Sequence, residues 1–215
     1  MNRTASRSYS SPVRAEQARL TERRITDAAH RLFLEQGYGQ TTLAAVAREA
    51  GVSAQTIYNV FGTKPALLKK VHDLALIGDD EPIPLAERPE VQAMYADTDP
   101  ERFLRAYAAL GRTIAERVGP LIVLAQAGAL GGGAELAAHV ETIHGEHLVG
   151  CTMVANRVDE LGALRPGLTV DGARDRIWTL TSPSVWHLLV RERGWSGDAY
   201  AEWVGDALCA AVLAR

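Results

Sequence analysis

Residues 41–64 constrain the fold more than any other part of the chain, because they have the pattern of two short helices joined by a tight turn. Thr42 and Ser53 are each placed to cap the start of a helix with a side-chain hydroxyl. Gly51 stands between the two segments, where a helix commonly ends in a positive φ angle. The stretch therefore predicts a helix-turn-helix over about residues 42–61, an arrangement that places its second helix in the DNA major groove.

Helical patterns flank the motif on both sides. Upstream, apolar residues recur from Ile25 to Phe33 and Gly37 ends the run, while Thr63 and Pro65 begin a further helix downstream. The positions that form a longer pattern are Gly37, Thr42, Val46, Ala47, Ala50, Gly51, Val52, Ser53, Thr56, Ile57, Tyr58, Phe61, Lys64, Leu67 and Leu68. With these residues at this spacing, about residues 20–77 resemble the DNA-binding domain of TetR-family transcriptional regulators.

The resemblance and the helical pattern together predict how the head contacts DNA. Ile57 and Phe61 are predicted to face the core of the head. Phosphate contacts are expected from Thr42, from the helix N-terminus at Ser53, and from Tyr58 and Lys64. Base contacts are expected from the amides of Gln55 and Asn59 to adenine, and from Ala54 and the Thr56 methyl to thymine methyl groups.

One position departs from the family pattern. The family often places a long polar or basic side chain two residues after the capping threonine, and this chain has Ala44 there. Base contacts from the first helix of the motif are therefore in doubt.

The charge is distributed unevenly between the two parts of the chain. Residues 1–70 contain eleven Lys and Arg against five Asp and Glu, whereas residues 71–215 contain twelve against twenty-one. The net charge of −3 therefore conceals a basic N-terminal third, which suits a surface that faces phosphates. A charged helix face that merely meets solvent would show the same asymmetry.

The rest of the chain is interpreted as helices, which makes the predicted fold all-α. Residues 1–18 are predicted to be a disordered basic arm whose Arg3, Arg7, Arg14 and Arg19 either reach a minor groove or attract DNA weakly. The helix-turn-helix domain spans 19–78 and a linker spans 79–98. A C-terminal domain over 99–215 has predicted helices at 99–118, 120–130, 134–161, 170–193 with a kink at Pro183, and 197–214.

The resemblance implies that the C-terminal domain binds a small molecule and forms a homodimer through its last two helices. Plausible pocket walls are Tyr107, Met153, Trp178 and Trp186, although plain core packing explains each of them as well. A two-fold dimer would bind a near-palindromic operator, because each head reads one half-site. The ligand itself is not readable from the sequence.

A cluster of histidines and glutamates suggests an alternative. Glu141, His144 and His147 can share one helix face, and imidazole with carboxylate suits a transition metal. An exposed polar helix face is the simpler interpretation. A metal-responsive regulator is therefore the second hypothesis, and a helical enzyme is the third, although no nucleophile and base are paired in the sequence.

The remaining expectations concern chemistry and compartment. We expect no catalysis and no cofactor. No window approaches eighteen uncharged apolar residues, and the N-terminus lacks the apolar core of a secretory signal. Cys151 and Cys209 are interpreted as small apolar groups in a reducing compartment. The predicted protein is a cytoplasmic, dimeric, ligand-responsive repressor of TetR type.

Overall fold

The computed structural model describes residues 12–79, 81 and 83–214. These residues form helices and no strand, and a single antiparallel bridge pairs Leu164 with Leu213. The helices are α1 (Pro12–Gln36), α2 (Leu43–Ala50), α3 (Ala54–Phe61), α4 (Lys64–Ile77), α5 (Pro89–Ala96), α6 (Pro100–Leu130), α7 (Ala134–Glu160), α8 (Val170–Leu180), α9 (Pro183–Trp186) and α10 (Gly197–Val212). A 3₁₀ turn covers Leu85–Glu87, and α9 continues as a π-helical turn over His187–Glu192. The all-α prediction is confirmed.

The chain forms two compact units, of which the first ends at Val71 and the second begins at His72. In the first unit, α1, α2, α3 and the first half of α4 enclose one small core. Its most buried members are Ile25, Ala29, Phe33, Val46, Ile57, Leu67 and Leu68. These are the apolar positions of the predicted helix-turn-helix, so the periodicity and the core agree.

In the second unit, α6 packs against α7 and α10, and α8 packs against the same two helices. The core between these helices includes Phe103, Leu104, Val154, Ile177 and Leu208, all fully buried. Two ion pairs join α6 to α10 at the surface: Arg105 lies 2.8 Å from Asp206, and Arg112 lies 3.3 Å from Asp198. Being exposed, these pairs contribute less to stability than the apolar core does.

The end of α4 is held within the second unit by α6 and α7. Arg117 of α6 donates a 2.6 Å hydrogen bond from Nη1 to the carbonyl of Ile77. This bond satisfies one of the carbonyls that the end of a helix leaves without an intrahelical partner. The buried rings of His72 and His139 meet edge to face at 5.4 Å, and they join α4 to α7.

Two predicted boundaries near the head need correction. The arm was expected to extend to residue 18, but α1 already begins at Pro12, so Arg14 and Arg19 are helical. Proline suits the first turn of a helix, and Arg19 pairs with Glu16 at 2.7 Å one turn away. Arg3 and Arg7 lie outside the described residues.

The predicted linker over 79–98 also contains defined structure, because α5 occupies Pro89–Ala96. Ahead of α5, Arg88 binds both carboxylate oxygens of Asp79, at 2.6 and 2.7 Å. This hydrogen bonding lowers the pKa of Asp79 to about 2. Prolines were interpreted as breaks in this segment, but Pro89 begins a helix.

Two prolines in the C-terminal domain act differently from the prediction. Pro120 was expected to begin a new helix, yet α6 is continuous from Pro100 to Leu130. A proline within a helix costs about 3 kcal/mol, and burial of the adjoining Val118, Leu121 and Ile122 offsets that cost. Pro183 was expected to kink one helix, but α8 ends at Leu180 and Ser182 caps a new start.

An apolar stripe runs along α10, the last helix, and is largely buried inside its own unit. Tyr200, Val204, Leu208 and Val212 are buried there, at one-turn spacing. Trp203 is 38% exposed, and its ring meets that of Trp195 edge to face at 6.2 Å. Most of the stripe is therefore not available to a second subunit.

Gly119 provides a sharp test of how α6 packs. A Cβ added there would lie 2.6 Å from a ring carbon of the buried Trp186, whereas one added at Gly111 of the same helix meets nothing within 4 Å. We expect Gly119→Ala to lower the free energy of unfolding by about 1–3 kcal/mol through overpacking. Gly111→Ala should raise it by up to about 1 kcal/mol through helix propensity. Urea denaturation measures both, and equal effects of the two substitutions would contradict this packing.

Candidate functional site

The helix-turn-helix has the local geometry that its sequence predicts. The Thr42 hydroxyl accepts a 3.1 Å hydrogen bond from the Ala45 amide, and Ser53 accepts one of 3.0 Å from the Thr56 amide. Gly51 ends α2 with φ of +65°, in the left-handed region that favours glycine. The two caps and the glycine together set the turn between α2 and α3.

The outer side of α3 carries the predicted base-contacting residues. Ala54, Gln55, Tyr58 and Asn59 are exposed, and Thr56 is half-buried. Ile57 is fully buried on the opposite side, whereas Phe61, predicted to be buried, is only half-buried. The Nε2 of Gln55 donates a 2.9 Å hydrogen bond to the Oδ1 of Asn59, so the two amides are paired. Since helical residues four apart share one face, these side chains form one polar surface.

Lys64 has a structural role in addition to the predicted phosphate contact. Its Nζ donates to the carbonyls of Tyr38 and Thr41, at 3.0 and 3.2 Å, and lies 4.1 Å from the centre of the Tyr38 ring. An ammonium group has three N–H donors, so these bonds leave one for a phosphate.

Thr41 completes the support of this loop, and sequence reasoning missed it. The side chain is fully buried, and its hydroxyl lies 3.1 Å from the Leu32 carbonyl and 2.9 Å from the Gly37 carbonyl. The loop between α1 and α2 is thus tied to α1 by Thr41 and to α4 by Lys64. The hydrogen bonds from Thr41 and Lys64 end on backbone carbonyls. Every residue has such a carbonyl, so the sequence contains no signal for these bonds.

The four predicted pocket residues lie in different surroundings. Trp178 borders an open groove of about 430 Å³ between α7 and α8, with His144, Gly145, Leu148, Asp175 and Thr179. Trp186 is buried against α6, and Met153 is 47% exposed. Trp178 and Trp186 do share one property: the indole Nε1 of each is buried and has no hydrogen-bond partner among the described residues.

Tyr107 belongs instead to a buried polar cluster between α6, α7 and the end of α8. Its hydroxyl lies 3.7 Å from the Cys151 thiol, which is 4.0 Å from the Thr181 hydroxyl. Burial raises the pKa of Tyr107 well above its ordinary value and also raises that of Cys151. Both groups are therefore protonated at neutral pH. Neither described cysteine forms a disulfide.

His147, one of the three predicted metal ligands, joins the same cluster. Its Nε2 lies 3.0 Å from the Thr181 hydroxyl, which also lies 2.8 Å from the Ile177 carbonyl. Burial, together with the nearby His144, lowers the pKa of His147 to about 4. The imidazole is therefore neutral near pH 7.

The other proposed metal ligands are also not gathered around one point. His144 meets the Trp178 ring edge to face at 5.8 Å, and Glu141 is exposed on α7. Within residues 12–79, 81 and 83–214, no three His, Cys, Asp or Glu side chains are placed to hold a metal ion. The hypothesis of a metal-responsive regulator thus gains no support. In the same residues, no helix is long and apolar enough to cross a membrane.

Comparison of the sequence with known proteins identifies the head. The family described as bacterial regulatory proteins, tetR family, matches residues 25–71. The HTH-type transcriptional regulator HbdR of Aromatoleum sp. (strain CIB) is 52% identical over 44 residues. That match spans 20% of this chain and 19% of HbdR, so it concerns the head alone.

Comparison of the structure extends the likeness to nearly the whole chain. A TetR-family regulator structure from Rhodococcus sp. has a TM-score of 0.68 at 14% identity, covering 91% of this chain and 98% of that one. FadR from Bacillus subtilis, solved in complex with stearoyl-CoA, has a TM-score of 0.67 at 20% identity, covering 86% and 96%. At such identities the likeness shows the fold. Residues 25–71 thus match the tetR family of bacterial regulatory proteins, and the fold of nearly the whole chain is similar to those of TetR-type regulators of known structure.

Proposed function

We propose that this protein is a homodimeric DNA-binding repressor that a small molecule releases from its operator. The main support for the proposal is the outer side of α3. The exposed amides of Gln55 and Asn59 lie there, on a helix whose position is fixed by the caps at Thr42 and Ser53 and by the buried Ile57. A protein that reads base edges in the major groove needs hydrogen-bonding side chains on a helix with a fixed position. A regulator acting on DNA in this way works in the cytoplasm of a bacterium.

The contacts divide into those that position the protein and those that read sequence. Phosphate contacts come from Thr42, Tyr58, Lys64 and the N-terminus of α3 at Ser53. Base contacts come from Ala54, Gln55, Thr56 and Asn59. The excess of basic residues in the N-terminal third favours the approach of the head to DNA.

The dimer follows from the size of the reading helix. α3 has eight residues and covers few base pairs, so two heads on half-sites about 34 Å apart give the length of a specific operator. We propose that contacts between subunits involve the last two helices. The exposed apolar side chains of this region are Leu188 in the π-helical turn, Trp195 between the helices and Trp203 in α10.

The effector is proposed to be an organic molecule with a hydrogen-bond acceptor. The buried indole N–H groups of Trp178 and Trp186 lack a partner among the described residues, and buried donors in proteins usually have one. A protein of the same fold, FadR from Bacillus subtilis, is known in complex with stearoyl-CoA, which makes acyl-CoA esters reasonable first compounds to test.

The proposal is tested by binding of the purified protein to fragments from upstream of its own gene, at two salt concentrations with competitor DNA. We expect one near-palindromic fragment to be preferred and its affinity to fall as salt rises. Binding without preference among fragments would overturn the assignment as a specific repressor.

Lys64 is expected to contribute to DNA affinity without contributing to sequence preference. Lys64→Ala should weaken binding to operator and competitor DNA by similar factors, and it should reduce the slope of log affinity against log salt by about one phosphate contact. Lys70→Ala is the matched control, because Lys70 lies on the same helix and pairs with Glu22 at 2.7 Å. Thermal unfolding followed by circular dichroism shows whether the lost bonds to Tyr38 and Thr41 also destabilise the head. An unchanged salt slope would contradict the phosphate contact.

The indole donors are tested once a compound that releases DNA has been found. Trp178→Phe and Trp186→Phe keep an aromatic ring but remove the N–H, and a lost hydrogen bond of about 1 kcal/mol should raise the concentration needed for release about fivefold. Tyr95→Phe is the control, because it also keeps an aromatic ring and removes one hydrogen-bond donor, but on α5 rather than on α8 or α9. Release curves identical to wild type for both variants would exclude these donors from the effector site.

A further inference from the structure

The hydrogen bond between Gln55 and Asn59 determines what the two side chains can offer to DNA. The residues lie one turn apart on the exposed side of α3, and Gln55 Nε2 donates to Asn59 Oδ1 over 2.9 Å. Each amide has one carbonyl oxygen with two lone pairs and one NH₂ group with two hydrogens. Pairing engages one hydrogen of Gln55 Nε2 and one lone pair of Asn59 Oδ1. The Gln55 carbonyl and the Asn59 NH₂ group are left wholly unengaged, the first as an acceptor and the second as a donor.

The set of free groups does not depend on which amide donates. If both amides turn over, Asn59 donates to Gln55, which leaves Gln55 Nε2 as donor and Asn59 Oδ1 as acceptor. In both arrangements, the groups left wholly unengaged are one carbonyl and one NH₂ group, contributed by different residues. Two unpaired amides would instead offer an unengaged carbonyl and an unengaged NH₂ group each.

One base matches this combination in the major groove. Adenine offers the N6 amino group as a donor beside N7 as an acceptor. Guanine offers two acceptors at N7 and O6, and the free carbonyl of the pair would face O6 without a hydrogen between them. Cytosine offers only a donor, and thymine offers an acceptor beside a methyl group.

We propose that Gln55 and Asn59 act as one unit that reads a single adenine in each half-site. In the orientation observed, Gln55 Oε1 accepts from N6 and Asn59 Nδ2 donates to N7. This inference rests on the proposed DNA binding of α3. It differs from two independent amides reading two adenines, because the pair reads one base pair and each member holds the other in position.

Amide substitutions combined with altered adenines test the inference. The operator preferred by the wild-type protein is synthesised with 7-deazaadenine, which lacks N7, or with purine, which lacks the N6 amino group, at each adenine in turn. We expect one adenine per half-site to be sensitive to both changes, each weakening binding about 5- to 50-fold. In Asn59→Ala the 7-deazaadenine penalty should disappear, and in Gln55→Ala the purine penalty should disappear, at that same adenine.

The double variant measures the coupling. Gln55→Ala combined with Asn59→Ala should abolish both penalties. Since removal of either amide also frees the other from its partner, the double variant should weaken binding by less than the product of the two single factors. Gln36→Ala is the control, because Gln36 is an exposed glutamine of the same head outside α3. Circular dichroism checks that each variant keeps its helices.

The outcomes separate this inference from the proposed function. Penalties at two different adenines that multiply in the double variant would overturn joint reading while leaving sequence-specific binding intact. Exchange of the two penalties between the variants would support joint reading with both amides turned over. No sequence preference in the wild-type protein would overturn the proposed function itself.

Discussion

The proposed DNA-reading surface of α3 depends on a charged side chain that binds the backbone. The ammonium group of Lys64 binds the carbonyls of Tyr38 and Thr41, and the Thr41 hydroxyl binds the end of α1. These bonds set the start of α2, and the turn at Gly51 then sets α3. A charged donor on a carbonyl is worth about 1.5–3 kcal/mol, more than an exposed ion pair. The position of α3 is therefore determined by hydrogen bonds within the head, and the proposed phosphate contact of Lys64 is additional to them.

Local chemistry made the head predictable from the sequence. Caps at Thr42 and Ser53 and the positive φ of Gly51 involve residues only a few positions apart, so a sequence pattern records them. Lys64 was predicted as a phosphate contact for its charge. Its hydrogen bonds reach residues 23 and 26 positions away, and no local sequence pattern indicates such bonds. The pairing of Gln55 with Asn59 also escaped notice, although their spacing allows it.

In the C-terminal domain, prediction failed where packing outweighed a local rule. The rule that proline breaks a helix failed at Pro120, because buried neighbours on both sides hold α6 together. At Pro183 the same rule applied more strongly than predicted, because the helix ends before the proline and Ser182 caps a new helix, α9. The resemblance implied a dimer interface on the last two helices, yet Tyr200, Val204 and Leu208 of α10 are buried in its own unit. Periodicity shows that a helix has an apolar face, but it does not show what covers that face.

α4 contributes to the packing of both compact units. Leu67, Leu68 and Val71 are buried in the first unit, while in the second unit Arg117 binds the carbonyl of Ile77 and the His139 ring meets that of His72. A helix is one unbroken series of backbone hydrogen bonds, so a single stretch of 14 residues can contribute to two cores. The sequence pattern predicts such a helix, but it does not show which apolar residue belongs to which core. The division between the two units therefore follows from packing rather than from the end of a helix.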